Sequence, residues 1–228
     1  KNLVFRAVRE MQVRIPDLKL GAFDLAKHLP AAGGIGGGSS DAAAAIRLIA
    51  RHNALSLDDR RIFDAARAVG ADVPVCVEAK PRMMSGAGER LGPVLNLPRL
   101  NAVLVNPGLP VATEDVFAEL GLQPGQTIES PPHFRIASAI RAETLMALLN
   151  EGRNDLQPPA IRRLPVIAEV IEALQQQPDC RLARMSGSGA TCFGLFPTLG
   201  AAFEAVRNLR RDHRSWWIQP ATLGALEA

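Results

Sequence analysis

Tyrosine is absent from the chain, and eight phenylalanines and two tryptophans are all the aromatic residues it has, 4% of 228 positions. Proteins that grip single-stranded nucleic acid stack bases on exposed rings, so this shortage weighs against an RNA-contacting module. The charge balance agrees. A net charge of +3 and a pI near 9.1 suit attraction of a small anion but fall short of the dense basic stripe of a nucleic-acid binder. The one basic cluster, Arg207, Arg210, Arg211, His213 and Arg214, reads as a solvated helix face rather than a phosphate-backbone patch. Cysteine is also scarce: Cys76, Cys180 and Cys192 are odd in number, lack C-x-x-C spacing and sit among apolar neighbours. They fit a reduced intracellular compartment better than a disulfide framework. The four histidines are scattered without ligand spacing, which argues against a Cys/His metal site. No apolar run approaches the ~20 residues that span a bilayer, and no signal-like segment opens the chain, so the expectation is a cytoplasmic protein with no membrane partner.

What is present is enough apolar residue, 47%, to build a sizeable core, in one large domain or two modest ones. Residues 3–11 read as an amphipathic helix with no strand before it, as if the protein were entered partway along. Alternation over 21–29 predicts a strand closed by Pro30. Ala42 to Arg51 is the strongest helix signal, with Ser or Asp available as N-cap; a second helix is expected from about Ser56, its cap, to Val69, stopped by Gly70. Val73 to Val77 reads as a short strand broken by Pro74, residues 82–89 as a glycine-punctuated stretch, and Ala102 to Val105 as a strand. The Pro-rich passage at 92–98 predicts a boundary between a domain of residues 1–98 and one of residues 99–228.

Beyond it, a helix over Ala112 to Leu120 capped by Thr113, a loop over 123–133, and a helix opening at Pro165 with Val166, Ile167, Val170, Ile171 and Leu174 on one face are expected. A glycine turn follows Arg184, then a strand over Thr191 to Phe196, a helix over Leu199 to Leu209 and a strand at Trp216 to Gln219. Helices and strands do not keep a regular βα beat, so the class is α+β.

The stretch PAAGGIGGGSSDAAAA, residues 30–45, holds five glycines in six positions and runs at once into alanine. It fails as a Walker A loop, because Ser39 stands where the lysine must be, and as a dinucleotide fingerprint, because Ser39 also takes the third-glycine position. The physical core of both survives: amides left bare by glycine, converging on an anion at the positive end of a helix. Such glycines would each cost about 0.5–1 kcal/mol in a merely structural turn, which points to a use.

Three further segments, GADVPV (70–75), SGAGERL (85–91) and RMSGSGATCFGLF (184–196), follow in that order. Together with the glycine run they resemble the successive motifs of the galactokinase, homoserine kinase, mevalonate kinase and phosphomevalonate kinase (GHMP) superfamily. GGGSSDAA with GADVP and G-x-G-E is most similar to its branch acting on 4-diphosphocytidyl-2-C-methyl-D-erythritol. The resemblance covers nearly the whole chain. It implies a two-domain α+β kinase, the first domain like domain 2 of ribosomal protein S5 and the second ferredoxin-like, using ATP and Mg2+, with metal ligands unassigned.

Residue by residue, it implies that Gly33, Gly34, Gly36, Gly37, Gly38, Ser39 and Ser40 wrap the ATP phosphates, and that Gly187, Ser188 and Gly189 close over them. Lys27 matches a lysine near the nucleotide and Asn2 an asparagine near the adenine; the plainer readings are a solvated lysine and a helix cap. Asp72 matches the catalytic base; a carboxylate suits the task, being acceptor-only when ionised, although the tripeptide alone also reads as a turn aspartate. Thr113 and Phe117 match positions that hold the substrate hydroxyls and lie near the cytosine; core packing with Leu120 is the competing reading of Phe117. Glu89 is a conceivable magnesium contact outside this set.

One departure stands at the front. The family's opening segment, PAKxNLxLxVxGxRxDGYH, has no match in residues 1–30, which predicts a chain lacking its first strands, one catalytic lysine and half of the base pocket. The expected activity is phosphorylation of the 2-hydroxyl of the diphosphocytidyl substrate. The alternatives are a homoserine- or mevalonate-type kinase of the same superfamily, or a non-catalytic anion- or RNA-binding module.

Overall fold

Alanine decides how the first helices pack, because a helix face without side-chain bulk lets its neighbours approach closely. The computed structural model describes residues 2–30, 33–123, 126, 128, 131 and 133–224. The chain divides into two compact units, Lys1–His28 with Gly36–Leu95 and Leu29–Ile35 with Asn96–Ala228.

In the first unit α1 (Leu3–Arg14), α2 (Gly37–His52), α3 (Arg60–Val69) and α4 (Val73–Glu78) pack around one core. Ala42, Ala43 and Ala50 of α2 and Ala65 and Ala66 of α3 are fully buried. Met11, Ile46 and Ile62 supply bulk between them, each worth about 1.5–3 kcal/mol of burial. Arg47, at the middle of α2, donates to the Cys76 carbonyl at 2.6 Å and so ties α2 to the last turn of α4. The antiparallel hairpin β1 (Arg82–Ser85) and β2 (Arg90–Val94) completes the unit. Its turn needs glycine at Gly88, whose φ is +103° and whose added Cβ would lie 2.7 Å from the Ala71 carbonyl oxygen.

In the second unit the elements run β3 (Leu100–Asn106), α5 (Thr113–Glu119), α6 (Ala142–Glu151), α7 (Gln157–Arg163), α8 (Val166–Gln175), β4 (Leu182–Met185), β5 (Cys192–Phe196), α9 (Leu199–Asp212) and β6 (Trp217–Leu223). The four strands form an antiparallel sheet in the order β4-β5-β3-β6. With α8 leading into β4 and α9 into β6, this is the ferredoxin-like order. Ile167, Val170, Ile171 and Leu174 of α8 and Ala202, Ala205, Val206 and Leu209 of α9 are buried in the core that includes β3 and β5. Pro220, which cannot donate to a ladder, sits on β6 at the sheet edge. The basic cluster spans the last turns of α9 and the residues after it, and is in part self-satisfied: Arg210 donates to the Ile218 carbonyl at 2.6 Å and Arg211 pairs with Asp212 at 2.8 Å.

Several expectations need correction. Residues 21–29 form no strand; they are mostly exposed, so alternation there has no ladder to serve. Val73–Glu78 is a helix: Pro74 falls in its first turn, where no intrahelical N–H is needed, and Val73, Pro74 and Val77 face the core. α2 begins at Gly37, not Ala42, with left-handed Gly36 in the N-cap position and no side-chain cap. α3 is capped by Asp59, not Ser56, and begins at Arg60. Ala112, not Thr113, precedes α5 as its cap. α9 runs on to Asp212, β5 begins at Cys192 rather than Thr191, and β6 extends over Trp217–Leu223. α6, α7 and β4 are additional elements. Within the expected loop 123–133, residues 124, 125, 127, 129, 130 and 132 lie outside the described residues, as do Ala31 and Ala32 of the glycine stretch.

Candidate active site

The glycine stretch does two different things on its two sides. Gly36 turns the chain with φ +66°, and α2 starts at Gly37. Ser40 N–H makes the first intrahelical bond, to Gly36 O at 2.8 Å. With no side chain capping the helix, the amides of Gly37, Gly38 and Ser39 are left at the positive end of a 16-residue helix. Ser40, one turn in, donates its hydroxyl to Cys76 Sγ at 3.7 Å. Lys27 pairs with Asp41 in the same first turns, Nζ to Oδ2 2.8 Å, both side chains partly exposed. Asn2 caps α1, accepting from Val4 N–H at 3.0 Å, and Leu3 Cδ1 would meet a Cβ on Gly38 at 3.3 Å.

Asp72 occupies the N-cap position of α4 without spending its carboxylate on the cap, and it is exposed. Four residues on, Cys76 carries a thiol pushed up from its ordinary value, chiefly by burial. Thus, within the first unit, α2 and α4 are joined through Arg47 and the Ser40–Cys76 contact, the one helix bearing bare amides and the other a free carboxylate. Glu89 is turned back on its own hairpin, accepting from Ala87 N–H at 2.7 Å, and its carboxyl is held below the usual range by the backbone amides of Glu89 and Ala87.

In the second unit the earlier glycines of the stretch interlock with the turn 186–191. Ser186 Oγ donates to Gly34 O at 3.0 Å and Thr191 N–H to Gly33 O at 3.1 Å. The approach is too close for any side chain: a Cβ on Gly34, at φ +69°, would lie 2.5 Å from Gly189 O, and one on Gly187, at φ +53°, would lie 2.7 Å from Gly34 O. Ser188 Oγ lies 2.8 Å from Thr113 Oγ1. The structure thereby brings Gly33, Gly34, Gly187, Ser188, Gly189 and Thr113 together. Phe117, one turn beyond Thr113, is 54% exposed while Val116 takes the core position, so core packing does not account for it.

Four residues that sequence reasoning missed hold this arrangement. Ser186 and Thr191 bond the carbonyls of Gly34 and Gly33. Asn106 is 3% exposed and donates to the buried Thr191 Oγ1 at 2.9 Å, directly beneath Gly33. Asn154 donates to both Met185 O at 2.9 Å and Gly187 O at 2.8 Å. The one available signal was Asn106-Pro107-Gly108 at the end of an apolar strand, an Asx-turn pattern, with Gly108 N–H donating to Asn106 Oδ1 at 2.8 Å.

The known proteins similar to this chain point one way. The model of the GHMP kinases N terminal domain matches residues 2–80 and that of the GHMP kinases C terminal domain residues 136–214. A 4-diphosphocytidyl-2-C-methyl-D-erythritol kinase of Methylobacterium radiotolerans is 53% identical over 222 residues, spanning 97% of this chain and 76% of that protein. One of Methylorubrum extorquens is 51% identical over the same shares. The crystal structure of a 4-(cytidine 5'-diphospho)-2C-methyl-D-erythritol kinase aligns with a TM-score of 0.77 at 31% identity, covering 99% of this chain and 79% of that one. The motifs, the sheet order and these likenesses agree, and the chain belongs to the GHMP kinase family, in the group of the 4-diphosphocytidyl-2-C-methyl-D-erythritol kinases.

Proposed function

We propose that this ATP-dependent kinase transfers the γ-phosphoryl group to the 2-hydroxyl of 4-diphosphocytidyl-2-C-methyl-D-erythritol, a step towards isoprenoid precursors. The observation that carries the reading is about 50% identity, over 97% of the chain, to kinases named for that substrate. Residues 1–98 and 99–228 act as its two domains.

Phosphoryl transfer passes through a loose transition state, so positioning and electrostatic stabilisation supply most of the catalysis. The bare amides of Gly37, Gly38 and Ser39, with Gly33, Gly34, Gly36 and Ser40, receive the triphosphate, and the α2 dipole favours its charge. Gly187, Ser188 and Gly189 add the amides of the second glycine turn. Lys27 and Asn2 lie towards the nucleotide. Asp72, whose carboxylate is free of a capping bond, accepts the proton of the attacking hydroxyl. Thr113 holds a substrate hydroxyl, and exposed Phe117 offers the cytosine a ring face. Mg2+, carried by the nucleotide, would add neutralisation of the phosphate charge, with no residue of this chain assigned to hold it.

The test is ADP release by the protein expressed from its whole reading frame, with the diphosphocytidyl alcohol as acceptor. Turnover dependent on that acceptor is expected. Turnover with homoserine or mevalonate in its place moves the chain to a sibling activity, and steeply salt-dependent RNA binding without nucleotide affinity refutes the kinase reading.

A further inference from the structure

Asn154 lies just before α7, far in sequence from every glycine motif, and each hydrogen-bonding group of its side chain is engaged. The amide nitrogen donates to Met185 O at 2.9 Å and Gly187 O at 2.8 Å, and the amide oxygen accepts from Leu156 N–H at 3.0 Å. Next to it, Gln157 Oε1 accepts from Met185 N–H at 3.0 Å. The entry to the turn is therefore held by two side chains from one short segment.

The direction of those bonds has a stereochemical effect. In a trans peptide the carbonyl and the following N–H point in opposite directions. Holding Met185 O on the Asn154 side sends Ser186 N–H the other way, where it donates to Thr191 O at 2.9 Å. Holding Gly187 O on the same side likewise turns Ser188 N–H away from Asn154. Gly189 N–H is committed to Ser186 O at 2.9 Å and Thr191 N–H to Gly33 O at 3.1 Å, whereas the Ser188 amide is not spent on either bond and lies beside a hydroxyl that meets Thr113. Gly187 is left-handed at φ +53°, a backbone that glycine adopts without strain, and the Asn154 bond adds a restraint on its carbonyl from outside the turn.

We propose that Asn154 is a positioning residue for phosphoryl transfer: by gripping the carbonyls of Met185 and Gly187 it aims the Ser188 amide at the phosphate chain of ATP. The inference rests on the kinase reading above.

The test uses Asn154→Ala and Asn154→Asp, with ATP dissociation constants and both KM values measured beside melting temperature. Aspartate keeps the acceptor for Leu156 N–H and deletes both donors, which separates support of α7 from aim of the turn. Both variants should raise the ATP dissociation constant and ATP KM about tenfold, leave the acceptor KM within twofold, and retain kcat at saturating ATP within about threefold. The melting temperature of Asn154→Asp should exceed that of Asn154→Ala. Unchanged ATP affinity in Asn154→Ala, or equal losses for ATP and acceptor, overturns the proposal. Weakening in Asn154→Asp alone also overturns it, since added negative charge then explains the effect. If the unaltered protein binds ATP but ignores the expected acceptor, the substrate reading fails while ATP affinity still decides the role of Asn154. If it binds no ATP, both fail.

Discussion

Thr113 Oγ1 lies 2.8 Å from Ser188 Oγ although 75 residues separate them. One hydroxyl opens α5 and the other sits in the second glycine turn, so the residue assigned to the acceptor is hydrogen-bonded to one assigned to the nucleotide. Replacing Thr113 by valine keeps the shape and removes the hydroxyl. The acceptor KM should rise about fivefold to tenfold, in line with the loss of one or two hydrogen bonds, while the ATP KM stays within twofold. Thr113→Ser should restore most of the loss. Initial rates at varied concentration of each substrate decide it, and equal effects on both would show that the hydroxyl serves only the turn.

Gly34 and Gly36 share a left-handed backbone but not the same surroundings. An added Cβ on Gly34 would press on Gly189 O at 2.5 Å and Ser186 O at 2.6 Å, whereas on Gly36 it meets nothing within 4 Å. Gly36→Ala should cost only the backbone penalty, about 1–2 kcal/mol. Gly34→Ala should cost clearly more and weaken ATP binding as well, because the turn 186–189 must move. Urea denaturation of the two variants side by side makes the comparison; equal losses would contradict the close approach.

Asp72→Asn preserves the size of the side chain and removes its ability to take a proton. A fall in kcat of at least about 10²-fold with ATP affinity unchanged is expected for the loss of a general base. Near-normal turnover by this variant would take Asp72 out of the mechanism.

Cys192 is buried in the sheet core, and burial pushes its thiol from the ordinary 9.0 up to about 12. Below pH 9 the thiol is neutral in both the folded and the unfolded chain and adds no pH dependence. Between about 9 and 12 the unfolded chain loses the proton that the folded one keeps, so stability should fall with rising pH, by at most about 1.4 kcal/mol per pH unit from this group. Denaturation midpoints of the parent and Cys192→Ala from pH 8 to 10.5 test it: the parent's slope should be the steeper in the alkaline range.

The glycine framework of the candidate site was legible because its backbone demands are local. Glycine at Gly34 or Gly187 answers a backbone approach too close for any side chain, and such demands leave their mark in consecutive letters. The stripe Ile167, Val170, Ile171, Leu174 was equally readable, since ten residues of 3.6-periodicity fix a buried face. Five residues, Val73 to Val77, are too few for a period to show, and Pro74 looked like a breaker where it is a first-turn residue. Pro158 and Pro159 hid α7 for the same reason. The start of α2 was misplaced because glycine is a poor helix former, yet in a first turn it costs little and bares the amides. The polar supports escaped altogether: Asn106 and Thr191 are 85 positions apart, and Asn154 stands 31 and 33 positions from its two carbonyls.

The way Leu29–Ile35 is assigned to the second unit while the residues on either side belong to the first bears on any attempt to dissect the protein. Severing the chain at Leu95–Asn96 would not yield two self-sufficient halves, because the shorter piece would carry off the acceptors for Ser186 Oγ and Thr191 N–H. A recombinant carboxy-terminal fragment would need residues 29–35 grafted back to rebuild its glycine turn.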